Sequence, residues 1–194
     1  MAEAAKMPKV KGALLVGLAM VIKASRDLDW SGETGLTPQD LDTISKGIFA
    51  SQWYDRNLYE KMGAAVYKLI GKNQPESAFM FGKGVMYDTL VKVYRGPLLS
   101  NDPREILTKF ALFYGTNWFN FGRAEFTPTP KGGIFHIHDP EGVPFEDGFG
   151  SMISGVFSRL VSETRGQNVK IETEKKVSAG TRKTTELILN ITWD

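Results

Sequence analysis

The chain contains no cysteine. That excludes disulfide bridges, thiolate nucleophiles and zinc or iron–sulfur sites built on thiolates, and it accords with a reducing, cytoplasmic setting. Histidine is nearly as scarce, with only His136 and His138 among 194 residues. An excess of one charge is missing too. There are 24 Lys and Arg against 22 Asp and Glu, for a formal net charge of +2. The balance holds along the chain, with 13 basic and 10 acidic residues in the first hundred and 11 and 12 in the rest. Nucleic-acid binders concentrate positive charge on one face, so no nucleic-acid partner is expected. The apolar run Ala13 to Ile22 is ten residues long, about half of what a bilayer requires, so no membrane span is expected either. Lys6, Lys9 and Lys11 before it imitate the charged region of a signal peptide. Glu3 precedes them and Lys23 follows the run directly, so the simpler reading is a buried first helix. Gly82-Lys83-Gly84 lacks the spacing and the preceding strand of a phosphate loop. Gly148 and Gly150 could bare N–H groups to an anion, but Glu146 and Asp147 already place negative charge there.

What is present reads as a single domain over 1–194, mainly helical over 1–119, with a sheet and crossover helix over 120–194. At 42% hydrophobic residues the chain can bury a core without staples. Gly12 to Ser25 is apolar nearly all round and predicts a central helix. Thr37-Pro38-Gln39-Asp40 supplies a cap, a first-turn proline and a first-turn acid for a short helix to Gly47. Leu58, Met62, Ala65, Val66, Leu69 and Ile70 fall on one helical face that Gly71 can end. Pro75 opens a further helix that stops near Gly96-Pro97, and Asn101-Asp102-Pro103 opens another. The period then changes from 3.6 to 2. Arg123 to Phe126 and Ile134 to His138 predict two strands, Glu146 to Thr164 a helix, and Val169 to Glu174 and Leu187 to Trp193 two more strands. The fold class is therefore α+β, a helical N-terminal half packed on a small antiparallel sheet with a strand-strand-helix-strand-strand C-terminal unit. Alternation along the strands predicts one covered face and one face that is wet or shared with a partner.

Four short motifs carry a resemblance. They are Lys11-Gly12 before the first helix, Gln52-Trp53-Tyr54, Phe121-Gly122-Arg123-Ala124-Glu125 opening the sheet, and the terminal Glu186-Leu187-Ile188-Leu189-Asn190-Ile191-Thr192-Trp193. Together with the element order they resemble the superfamily of vinyl-reductase-type small-molecule-binding domains, haem-NO-binding domains and transport-protein-particle components. Within it they resemble a myxobacterial-type bacterial family. The resemblance implies a scaffold with an apolar pocket and helices that pair. Its phenol-sensing members carry a Cys-containing zinc site and its lipid-modified members a buried Cys, both missing here. Its haem-binding members use a helix-borne His and a Tyr-x-Ser-x-Arg clamp, also missing. Neither haem nor any other cofactor is expected on that basis.

Two clusters are candidates for chemistry. Phe110, Tyr114, Trp118 and Arg123 could line an apolar ligand pocket with a few polar groups. The alternative is plain core packing at the helix–sheet junction. His136 and His138, two apart on a strand, face the same side and could share a metal, completed by Asp139, Glu141, Glu146 or Asp147. The alternative is a surface strand with two wet imidazoles, and no metal is expected. Ser151, Ser154, Gly155 and Ser158 form a small-residue stripe, read as close packing of the helix on the sheet. No nucleophile and base stand at a telling spacing. The reading is a non-enzymatic sensory or regulatory domain for a small apolar ligand, acting through a homodimer or a protein partner. The alternatives are an interaction module that dimerises through its helices and, after it, a metal-dependent enzyme centred on His136 and His138.

Overall fold

Several helix starts in the computed structural model follow the capping chemistry of the flanking residues. The structure describes residues 7–32, 34–96, 98, 100–178 and 183–194. The lysine-flanked start at Lys6, Pro97 and the basic turn at Gly180 and Arg182 lie outside them. Strand β1 (Lys9–Lys11) leads directly into α1 (Gly12–Ala24), which buries Ala13, Leu14, Leu15, Leu18, Ala19 and Ile22. Helix α2 (Pro38–Lys46) opens with a complete capping box. Thr37 Oγ1 accepts from the Asp40 N–H at 3.1 Å, and Asp40 Oδ2 accepts from the Thr37 N–H at 2.9 Å. Strand β2 (Trp53–Asp55) pairs antiparallel with β1, Val10 opposite Tyr54. Three-residue strands are too short to show alternation, and neither was expected.

Helix α3 (Arg56–Leu69) is capped by Asp55, which accepts from the Asn57 N–H at 2.7 Å. The helix expected from Pro75 onward is one rod with an irregular middle. It comprises α4 (Pro75–Phe81), a π-helical turn over Gly82–Met86 and α5 (Tyr87–Tyr94). Helix α6 (Pro103–Phe113) is capped by Asp102 and continues as a second π-helical turn over Tyr114–Trp118.

Strands β3 (Arg123–Thr129) and β4 (Gly132–His138) form a hairpin. Helix α7 (Glu146–Glu163) crosses over, and β5 (Lys170–Val177) and β6 (Thr184–Thr192) complete the sheet. The order is β3-β4-β6-β5 with antiparallel neighbours. Phe135, Ile137, Leu187, Leu189 and Ile191 point into the core, while His136, His138, Glu186 and Ile188 lie on the outer face. The fold is α+β as expected, with the helices against one face. Among the described residues no helix is long and apolar enough to cross a membrane.

The small-residue stripe of α7 packs differently from expectation. A Cβ on Gly155 would lie 2.0 Å from the Phe79 carbonyl oxygen of α4, and one on Gly82 would lie 1.9 Å from the Met152 carbonyl oxygen of α7. The glycines thus let two helix backbones touch. Ser154 is the member of the stripe that meets the sheet, 3.4 Å from Thr173 Oγ1. Gly155→Ala is therefore expected to overpack a backbone contact and to lower stability by about 3 kcal/mol, measured by urea denaturation.

Candidate functional site

The π-helical turn after α6 swings Tyr114 and Trp118 inward beside Phe110. Phe110 and Trp118 meet edge to face with centroids 4.3 Å apart, and Phe110 meets Phe157 at 4.9 Å. Phe135 closes the group against Phe157 at 4.5 Å. The rings occupy the space that a pocket among them would need, and the described cavities lie elsewhere. Burial pushes the Tyr114 phenol well up, so it is neutral, and its hydroxyl is buried without a hydrogen-bond partner. Arg123 does not join this group. It lies exposed on edge strand β3, with Nε 3.4 Å from Glu125 Oε1.

The two imidazoles do share the outer face of the sheet. His136 Nε2 is 3.4 Å from Glu186 Oε2 and His138 Nδ1 is 3.9 Å from Glu186 Oε1. The register sets Glu186 opposite His138. Asp139, one residue on, turns inward by the same alternation and is unavailable to them. Among the described residues no group of three or more His, Asp or Glu is assembled to hold a metal.

Inward, Asp139 meets Arg56. The guanidinium donates to Asp139 Oδ1 at 3.2 Å, to Glu60 Oε1 at 2.6 Å and to the Gly142 carbonyl, and it lies 4.4 Å over the Phe121 ring. Arg56 is 7% exposed and Asp139 is fully buried. Sequence reasoning missed this clasp between the start of α3 and the β4–α7 loop, because its members are far apart in the chain. Burial pushes the Asp139 carboxyl above its ordinary value of 3.8 despite Arg56. One oxygen, Oδ2, has no hydrogen-bond partner.

A second missed feature is an apolar cleft of about 50 Å³ between α1, α3, α4 and the start of α7. Leu18, Val66, Tyr67, Ala78, Phe81 and Met152 line it, together with Gly63, Phe145 and Gly148. No charged side chain is in its lining. Tyr67 spends its hydroxyl on the Asn73 carbonyl, 2.9 Å away. The one sequence signal was Gly63, a helix-breaking residue inside the clear apolar period of α3. The larger grooves are shallow. The one between α4, α7 and β5, about 320 Å³, is walled by Ser151, Ser154, Ser158 and Thr173 as much as by Phe79, Val169 and Ile171.

No protein-family profile and no curated protein matches this sequence. Solved structures do match over nearly the whole chain. An H-NOX protein from S. oneidensis in the Fe(II) ligation state superposes with a TM-score of 0.62 at 11% identity, over 95% of this chain and 96% of that one. An oxygen-binding H-NOX domain related to soluble guanylate cyclases, solved as its oxygen complex, gives 0.60 at 14% identity, over 94% of each chain. A structure from work on haem distortion in the H-NOX family gives 0.61 at 14%, again over 94% of each. The likeness is one of fold.

It also corrects one expectation. The missing motifs were read as the absence of any cofactor, haem included, yet the structures that share this fold come from a haem-carrying family. Whether the residues here fit that group is a separate matter of geometry. Both imidazoles lie on the outer face of the sheet. The cleft of about 50 Å³ is smaller than the ~150 Å³ cavity that takes benzene, and a porphyrin is several times larger than benzene. As packed here the residues do not fit haem.

Any Soret band that haemin develops with this protein is expected to survive His136→Ala and His138→Ala. Its loss in either variant would put an imidazole on the iron. Arg56→Met is expected to cost about 3–5 kcal/mol by stranding buried charge, and Arg56→Met/Asp139→Leu to recover most of it, both read by urea denaturation. The sign for Asp139 follows from its raised value. As pH rises from 3.8 toward the folded value, the native state keeps a proton that the unfolded chain releases. This group therefore withdraws stability as pH rises through that window. Asp139→Asn is expected to flatten that part of the stability–pH curve.

Proposed function

We propose that the chain is a ligand-binding sensory domain that takes a small, neutral, apolar ligand in the cleft between α3, α4 and α7. The observation that carries this reading is the cleft itself, an apolar recess with no charged residue in its lining. A well-packed protein of this size leaves few interior voids, so one walled by Gly63, Gly148 and Ala78 invites a functional reading. The shared fold supports it, since the neighbouring structures include an oxygen complex. The cleft brings no acid, no base and no free nucleophile beyond Ser77, which favours binding over catalysis. The narrower kinship with the myxobacterial-type family, and output through a second copy or a protein partner, belong to the same proposal.

The test uses toluene as the probe with the full chain. A ligand that binds only the native state raises the melting temperature in proportion to its saturation. The recess of about 50 Å³ is smaller than a cavity that takes benzene, so toluene enters by displacing an aromatic side chain of the lining. Near its solubility limit it is expected to raise the melting temperature of the wild type. Ala78→Leu fills the recess with a residue that suits a helix and is expected to weaken binding at least tenfold. A wild type whose melting temperature does not move with toluene overturns the proposal.

A further inference from the structure

Phe145 has a backbone conformation that its side chain opposes. Its φ is +28° and its ψ +61°, in the left-handed region that favours glycine. It stands immediately before the first turn of α7, and its ring forms one wall of the apolar cleft. Two observations show that the fold is built to hold the ring there. A Cβ on Gly63 would lie 2.3 Å from Phe145 Cδ1, so the middle of α3 accepts the ring only because residue 63 has no side chain. The ring also meets Tyr59 and Phe149 edge to face, with centroids 5.4 and 5.5 Å away. Packing thus retains a strained backbone and a glycine in a helix interior, both unfavourable on their own.

The surroundings leave the Phe145 side chain as the part able to move. Upstream, the β4–α7 loop is pinned. Arg56 holds Asp139 and the Gly142 carbonyl, and the Val143 N–H donates to the Thr184 carbonyl at 2.8 Å. Downstream, α7 is locked by its backbone contact with α4 at Gly155. Between them lie Pro144, whose φ is fixed by its ring, and Phe145. The Phe145 carbonyl accepts from the Gly148 and Phe149 N–H groups, so its backbone is held with α7 and the ring leaves the cleft by rotation about its side-chain bonds.

We infer that Phe145 is a displaceable plug that occupies the ligand's place, and that the cleft takes a neutral ligand about the size of one aromatic ring. This rests on the cleft being the binding site. The ligand replaces the phenyl ring against Gly63, Tyr59 and Phe149, and the class follows from a lining that is apolar and uncharged. The backbone beside the ring stays in place, since Glu146 accepts from Thr184 Oγ1 on β6 through its carboxylate and its carbonyl accepts from Lys175 Nζ on β5 at 2.9 Å.

The experiment is a toluene titration of the wild type, Phe145→Ala and Phe145→Leu, each as the 194-residue chain, followed by thermal melting, with Phe145→Gly melted alone. Removing the plug is expected to tighten toluene binding at least tenfold in Phe145→Ala, with an intermediate gain in Phe145→Leu should the alanine variant not fold. Without toluene, Phe145→Gly is expected to melt above Phe145→Ala, because glycine alone releases the positive φ. If the wild type binds toluene and neither smaller variant binds it more tightly, the plug is wrong and the cleft stands. If the wild type does not bind toluene, the cleft reading itself falls, whatever the variants do. If Phe145→Gly melts below Phe145→Ala, the backbone is not strained there and the ring is an ordinary wall of the cleft.

Discussion

Two helix backbones in direct contact set the geometry on which the rest of this molecule depends. At Gly82 and Gly155 the rod of α4 and its π-helical turn touches α7 with no side chain between them. A side chain cannot slide past a carbonyl oxygen at that separation, so α7 can neither rotate nor shift along α4 without opening the contact. Its apolar residues are thereby aimed. Phe157 enters the aromatic group with Phe110 and Phe135, while Met152 and Gly148 face the cleft. The π-helical turn lies at the same crossing. Such turns concentrate at functional positions, and this one adapts the α4–α5 rod to α7.

The buried clasp of Arg56 with Asp139 is a second constraint of a different kind. It joins the start of α3 to a loop 83 residues away. A buried ion pair of this sort gains little net stability, because desolvation offsets most of the attraction. Its value is positional. With Asp139 and Gly142 held, the loop enters α7 through Phe145, whose φ is positive. The clasp is incompletely satisfied at Asp139 Oδ2. The molecule thus carries its polar imperfection and its backbone strain in the same loop, bordering its apolar cleft.

Much of the architecture was legible from residue order. Thr37 with Asp40, Asp102 with Pro103, and the change of period near Arg123 identified helix starts and the sheet, because caps and alternation act over four residues or fewer. The same reasoning put His136 and His138 on one face. It left the aromatic run open between pocket and core, because a dense run of aromatics reads alike whether it lines a pocket or fills one, and Phe110, Tyr114 and Trp118 are buried among other rings. It also took the missing haem motifs for a missing cofactor. At 11–14% identity to the structures that share the fold, motif absence says little about what a scaffold carries. The strands β1 and β2 escaped notice because each is stabilised by its partner rather than by its own pattern.

By itself the sequence determined the fold class, the order of the elements and which face of each strand is apolar, since these follow from periodicity and local hydrogen bonding. Tertiary structure alone decided where the interior is full and where it is open. Gly63 and Phe145 are ordinary residues in isolation, one a weak point in a helix and one an apolar residue beside a proline. Only when α3 and the start of α7 come together does the missing Cβ of one become the seat for the ring of the other. Their close approach depends on the distant backbone contact at Gly82 and Gly155, and no window along the chain contains both halves of it.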